Sequence, residues 1–296
     1  MKEIVVISGK GGTGKTSIVA SFAALAGKKV LADCDVDAAD LHLVLNPRIE
    51  RREDFSGGKK AKILEDECVA CNRCTEECRF DAIHYPVLGN GEIADTPQIN
   101  PIFCEGCGVC MRVCPAEAIS FEPAVNGEWY ISSTNHGPMV HARLGMAEGN
   151  SGKLVTQIRQ EARSIAEREY LDYIIIDGSP GIGCPVIASI TGADLALVVT
   201  EPTLSGRHDL LRVSELTAHF RIPTIVCVNK WDLNPEVAEK IEAEAKECGI
   251  KAAGRVRYDN AITKAQIMKT SVVEYTGGAV SGDIRQVWRN TIYALG

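Results

Sequence analysis

The sequence predicts an α/β fold, a doubly wound and mostly parallel sheet interrupted by a small inserted α+β domain. Three observations carry that reading. Continuous apolar runs, rather than alternating ones, mark strands covered on both faces. Segments with helical periodicity separate those runs, the order expected when helices wrap a parallel sheet. Eight of the twelve cysteines crowd between Cys68 and Cys114, inside a stretch where that order lapses.

The elements follow in chain order. Ile4–Ile7 reads as a buried strand, and Thr16–Ala26 as a helix with Val19, Phe22, Ala23 and Ala26 on one face. Val30–Ala32 is a second strand; Tyr173–Ile176, Leu195–Val199 and Thr224–Val228 are later ones. Residues 153–169, 206–219 and 235–248 have helical composition between them. The polar, glycine-containing segment Glu50–Lys62 breaks the pattern, which resumes only near residue 130. The expected domains are therefore 1–56 with 126–296, and an insert at 57–125. Ile284, Val287, Trp288, Ile292 and Leu295 form an apolar helical stripe, expected to dock on the sheet rather than on a membrane.

Composition narrows the function. With 296 residues, 45% of them hydrophobic, the chain can fill a large core, and 5% aromatics leaves that core to Val, Ile, Leu and Ala. A net charge of −7 argues against broad electrostatic binding to nucleic acid or anionic membrane. No apolar run approaches the roughly 20 residues of a membrane-spanning helix. Met1–Ser8 is too short and too soon broken by glycine for a signal peptide, so a cytoplasmic protein is expected.

Gly9-Lys10-Gly11-Gly12-Thr13-Gly14-Lys15-Thr16 fits the pattern G-x-x-x-x-G-K-S/T between a strand and a helix. Glycines let backbone N–H groups converge on phosphate oxygens, and the helix N-terminus favours the negative charge. Lys15 is expected at the β- and γ-phosphates and the Thr16 hydroxyl on Mg²⁺, with Ser17 next in the binding segment.

Lys10, a second lysine inside this loop, resembles the deviant P-loop of the MinD/ParA/Mrp ATPase superfamily, which includes the nitrogenase iron protein. Asp33-Cys34-Asp35-Val36-Asp37 resembles that family's first switch, and Ile174–Gly181 its metal-sensing strand end and second switch. Val228–Asp232 resembles its base-reading segment. Together these cover residues 1–50 and about 130–296. The resemblance implies a slow, partner-gated ATPase that uses ATP and Mg²⁺. It implies that Asp177 holds Mg²⁺ through water, the Gly181 amide senses the γ-phosphate, Asp35 orients the attacking water and Asn229 hydrogen-bonds adenine. Lys10 is implied to cross to the partner's nucleotide in a homodimer, or in a heterodimer with a related ATPase. Asp37 and Asp40 read equally as helpers or as solvated loop carboxylates. Arg257 stands before Tyr258-Asp259 where the family often has proline, which leaves the base contacts there open.

Within the insert, Cys68-x2-Cys71-x2-Cys74-x3-Cys78 and Cys104-x2-Cys107-x2-Cys110-x3-Cys114 repeat with an offset of 36. Ile63 and Ile99, Ala82-Ile83 and Ala118-Ile119, and Tyr85 and Phe121 obey the same offset. Neither half has the apolar surface to fold alone. Three tandem cysteines wrap one corner of an iron–sulfur cubane and the fourth reaches the opposite cluster. The expected sets are Cys68, Cys71, Cys74 and Cys114 for one 4Fe–4S cluster, and Cys78, Cys104, Cys107 and Cys110 for the other. The doublet resembles bacterial two-cluster ferredoxins, with Arg79 where proline usually follows the fourth cysteine. Paired structural zinc is the rival, but zinc uses separated C-x2-C pairs.

Cys34, Cys184, Cys227 and Cys248 read as small buried residues. Cys184 also lies seven residues past Asp177, the offset of the bridging cysteine in the nitrogenase iron protein, though no partner cysteine stands near Gly149-Asn150. His136 and His141 read as polar or packing residues. The stretch from Glu148 to Val155 resembles one that follows the insert in ferredoxin-bearing members. The whole is read as an ATPase coupling nucleotide state to electron transfer, or to iron–sulfur or metallocluster assembly, on a client protein. A positioning or scaffold ATPase with structural clusters is the alternative, and a ligase of the cobyrinate-synthase kind is less favoured.

Overall fold

The computed structural model describes residues 1–145 and 151–296, so Glu148–Asn150 of the stretch just noted lie outside the described residues. The chain divides into two compact units. One comprises 1–53, 129–143 and 151–296; the other comprises 54–128 with Leu144 and Gly145.

The larger unit begins with β1 (Lys2–Ser8), α1 (Lys15–Leu25), β2 (Lys29–Asp33), α2 (Leu41–Leu45) and β3 (Arg48–Phe55). Ile4, Val5, Val6 and Ile7 are all fully buried, as a strand covered on both faces requires. Where the sequence shows only a polar break from Glu50, the structure has β3 as the edge strand of a nine-stranded sheet. Its charges suit an edge, where apolar side chains would invite pairing with other chains. Arg51 lays its guanidinium 5.3 Å from the Trp129 ring centre.

The smaller unit contains β4 (Gly58–Ile63), α3 (Arg73–Glu76), β5 (Ile83–His84), β6 (Gln98–Ile99), α4 (Val109–Val113) and β7 (Ile119–Ala124). β4 pairs antiparallel with β7 through Ile63 and Ile119, and β5 with β6 through Ile83 and Ile99. Under the offset of 36 each of these pairings becomes the other, so the two halves exchange equivalent strands. Backbone conformation repeats as well. Left-handed residues fall at Ala70 and Gly106, Asn72 and Gly108, and Asp81 and Glu117. Ala61, Ile63, Cys74, Ile83 and Ile119 form the core of this unit, with five further cysteines packed against it.

The chain then returns as β8 (Gly127–Thr134), β9 (Gly137–Leu144), α5 (Ser151–Arg168), β10 (Tyr173–Pro180), α6 (Cys184–Ile190), β11 (Leu195–Thr200), α7 (Leu204–His219) and β12 (Thr224–Asn229). It closes with α8 (Pro235–Glu247), β13 (Lys251–Val256), α9 (Ala261–Ile267), α10 (Val272–Tyr275) and α11 (Ala279–Leu295). Thr203 caps α7 by accepting from the Gly206 N–H, and Asn234 caps α8 ahead of Pro235. The sheet order is β13-β12-β11-β1-β10-β2-β9-β8-β3, with β1 parallel to both β10 and β11. The stripe on α11 packs on the core: Ile284 and Val287 are fully buried, and Trp288 meets Phe22 of α1 at 4.8 Å. No described helix is long and apolar enough to cross a membrane.

Candidate functional site

The first site lies at the carboxyl edge of the sheet, where β1 turns into α1. Gly14 has φ +87°, and a Cβ there would stand 2.3 Å from Asn229 Nδ2, so only glycine serves. A Cβ at Gly9 would meet Asp209 Cβ at 2.2 Å, whereas Gly11 and Gly12 face open space on their Cβ side. The loop is thus pinned at its ends and open at its middle.

Lys15 is buried and donates to Asp177 Oδ1 at 2.9 Å and to Asp35 Oδ2 at 3.1 Å. Burial alone would lower its ammonium pKa, but the two carboxylates more than reverse that and hold it above the usual lysine range. Asp33 is fully buried and raised well above the carboxylate range, first by burial and then by the Asp177 charge. Its two oxygens accept from the backbone N–H groups of Asp35 and Leu41, so it shapes the first switch rather than facing a ligand. Burial also raises Asp35, against the opposing pull of Lys15. Asp37 and Asp40 are exposed.

Two buried oxygens, Asp177 Oδ2 and Thr13 Oγ1, have no hydrogen-bond partner among the described residues. Such orphans ask for a ligand. An acceptor-only carboxylate and a hydroxyl beside a glycine cradle, with Thr16 half-buried at the helix start, fit Mg²⁺ and a nucleotide's phosphates. Other expected residues are engaged within the protein. The Gly181 N–H donates to the Ser8 carbonyl at 2.8 Å. Ser17 Oγ accepts from Gln266 Nε2 at 3.0 Å. Asn229 Nδ2 donates to the Thr13 carbonyl at 2.7 Å, so the structure places this side chain on the phosphate loop. Lys10 lies 3.4 Å from Glu201 Oε2 and 3.2 Å from Ser205 Oγ. Glu201 also pairs with Lys230 and was missed in the sequence. The only signal was its place just past the end of an apolar strand, at the sheet's carboxyl edge.

The second site is in the smaller unit and consists of two cavities of nearly equal size. One is lined by Cys78, Cys104, Cys107 and Cys110. The other is lined by Cys68, Cys71, Cys74 and Cys114. Each cavity thus takes three tandem cysteines from one half and the fourth from the other. A Cβ on Gly106 would stand 2.1 Å from the Lys59 carbonyl, so the Cys104–Cys107 loop lies hard against β4. Among the described residues, no three His, Cys, Asp or Glu side chains converge closely enough to hold one metal ion. The cysteines surround a space instead, which fits a multi-atom cluster better than a single zinc ion. Burial raises Cys74 and pushes Cys110 up to about 11, so loading such a cluster displaces protons.

Of the four isolated cysteines, Cys34 and Cys227 are buried as expected, but Cys184 and Cys248 are exposed, because both sit at helix ends. His136 pairs with Glu274 at 3.3 Å, and His141 meets Ser132 Oγ at 2.9 Å.

Residues 4–272 match the family model described as the CobQ/CobB/MinD/ParA nucleotide binding domain. The chain belongs to that family. The uncharacterized protein MJ0578 of Methanocaldococcus jannaschii is 36% identical over 236 residues, 78% of this chain and 79% of that protein. The Pyrococcus furiosus cell division ATPase MinD shares the fold, with a TM-score of 0.57 at 17% identity over 100% of this chain and 99% of that one. The Escherichia coli ferredoxin-type protein NapF is 33% identical over 79 residues, 27% of this chain and 47% of that protein. The match to the MinD/ParA family agrees with the pinned glycine loop, and the NapF match is to a ferredoxin-type protein over part of the chain.

Proposed function

We propose that this MinD/ParA-family protein is a slow Mg²⁺-dependent nucleoside triphosphatase carrying two 4Fe–4S clusters. Its nucleotide state is coupled to electron transfer to a client protein, or to cluster assembly on one. The observation that carries the reading is the pair of cavities, each lined by four cysteines drawn 3 + 1 from the two halves. Residues 57–125 then form the cluster-bearing insert, and 1–56 with 126–296 the nucleotide-hydrolysing domain.

The bound clusters would supply one-electron chemistry. The chain's own residues do the rest. The open middle of the glycine loop binds phosphates, and Lys15, released from its carboxylates, neutralises them. Asp177 would hold Mg²⁺ through water, and Asp35 would orient the attacking water. Lys10, leaving Glu201, completes the site of a second protomer, whether identical or a related ATPase. ATP is the nucleotide implied by the resemblance.

The test is anaerobic iron and sulfide analysis, followed by a redox titration read by electron paramagnetic resonance, with and without nucleotide. About eight irons and eight sulfides per chain are expected. By linkage, redox state and nucleotide affinity shift each other by one common factor; a displacement of about 30 mV in a one-electron potential is about 0.7 kcal/mol. Stoichiometric zinc would refute the clusters. Potentials and nucleotide affinities that ignore each other would refute the coupling and leave the clusters structural.

A further inference from the structure

We infer that the Thr75 hydroxyl donates a hydrogen bond to the cluster-bound sulfur of Cys74 and raises the reduction potential of that one cluster. This rests on the cluster reading above and names a residue that tunes one cluster and not its twin. The internal repeat supplies the comparison. Under the offset of 36, Cys74 corresponds to Cys110 and Thr75 to Met111. The two pairs stand in the equivalent short helices, α3 and α4. Equivalent positions thus carry a hydroxyl beside the third cysteine of one half and a thioether beside that of the other.

Thr75 is held at both backbone ends. Its N–H donates to the Asn72 carbonyl at 3.0 Å, and its carbonyl accepts from the Cys78 N–H at 3.3 Å. Its Oγ1 is buried and completes no hydrogen bond among the described residues. Elsewhere, helical threonines satisfy the hydroxyl on the carbonyl four residues back, as Thr156 and Thr291 do at 2.9 and 2.8 Å. That route is closed to Thr75, because α3 starts at Arg73 and the carbonyl four back lies outside the helix. The group beside it is the Cys74 sulfur. Burial raises the thiols of Cys74 and Cys110 alike. Against that, the Thr75 hydroxyl and N–H both favour the thiolate of Cys74, whereas at Cys110 the Met111 N–H acts without a side-chain donor. The Tyr85 hydroxyl, a second donor in this half, is taken by Asn72 Oδ1 and is not free for sulfur.

A thiol sulfur is a weak acceptor, but a ligating thiolate carries negative charge and accepts a stronger, charge-assisted bond. Loading the cavity of Cys68, Cys71, Cys74 and Cys114 therefore gives the orphaned hydroxyl the acceptor it lacks. Reduction adds a further negative charge to the cluster and its sulfurs. A donor at the sulfur stabilises the reduced form more than the oxidised one, which raises the potential.

The experiment is a redox titration of the full, anaerobically purified protein, read by electron paramagnetic resonance, on wild type, Thr75→Val and Thr75→Ser. Valine keeps the branched shape without the donor; serine keeps the donor. Thr75→Val should lower one of the two midpoint potentials by about 28 mV, about a threefold change in that one-electron equilibrium, and leave the other in place. Thr75→Ser should recover most of the shift. Unmoved midpoints in Thr75→Val, an equal shift of both, or a shift that serine does not recover would overturn the inference and leave the clusters intact. Wild-type protein that gives no iron–sulfur signal overturns the cluster reading itself. Should Thr75→Val not load its iron, Thr75→Ala gives the same readout, with the same outcomes deciding.

Discussion

Replacing Lys15 with methionine should destabilise the nucleotide-free protein as well as abolish phosphate binding. In the structure this ammonium is hydrogen-bonded to Asp35 and Asp177, with the fully buried Asp33 close enough to feel both charges. Methionine fills similar volume but leaves the carboxylates facing one another in a dry site. Breaking a buried ion pair by removing one partner costs about 3–5 kcal/mol. For a unit of this size that lowers Tm by about 6–20 °C. The sign of the pH dependence follows from the carboxylates. Burial already raises Asp33 and Asp35 above their ordinary values, so the folded state holds protons that the unfolded chain has released, and each favours unfolding as pH rises. Losing Lys15 raises them further. The deficit of Lys15→Met should therefore be largest near about pH 8 and at least about 1 kcal/mol smaller near pH 5. Urea unfolding followed by tryptophan fluorescence is the assay, because Trp129, Trp231 and Trp288 all lie in the nucleotide-binding unit. A deficit below about 1 kcal/mol at pH 8, or one equal at both pH values, would refute the view that Lys15 neutralises this cluster.

Three further outcomes are expected. Gly14→Ala should cost about 1–3 kcal/mol and weaken nucleotide binding, since its Cβ meets Asn229 Nδ2 at 2.3 Å and its φ is +87°. Adding Asn229→Ala should recover only the steric part, which urea midpoints will show. Lys10→Ala should retain nucleotide binding but lose hydrolysis and nucleotide-induced dimerisation; equal dimerisation by light scattering would remove Lys10 from the partner's site. His141, stacked 4.9 Å from Tyr130 and facing His42, is lowered to about 4, first by burial and then by His42. Below its ordinary value of about 6.5 the unfolded chain takes the proton first, so stability should fall by up to about 3 kcal/mol as pH drops toward 4. A urea series on His141→Gln should show a flatter acid limb.

How much of this was legible follows from how local each signal is. The phosphate loop could be read because its function is carried by consecutive residues: glycines that must turn, and a lysine and threonine that open a helix. The cysteine repeat could be read for the same reason, since one offset predicts ligands, paired isoleucines and the recurrent left-handed residues alike. The buried strands β1, β10, β11 and β12 announced themselves because a strand covered on both faces must be apolar throughout. The edge strand β3 did not, because an edge is free to be polar and its partner comes from far along the chain. The remainder needed the tertiary structure. That Asn229 holds Thr13 across 216 positions, that Glu201 receives both Lys10 and Lys230, and that Asp33 bonds backbone while Asp35 meets Lys15 are facts of the sheet order. Sequence fixes which groups can accept, donate or carry charge, but the strand order decides which of them share one buried place, where desolvation makes pairing obligatory.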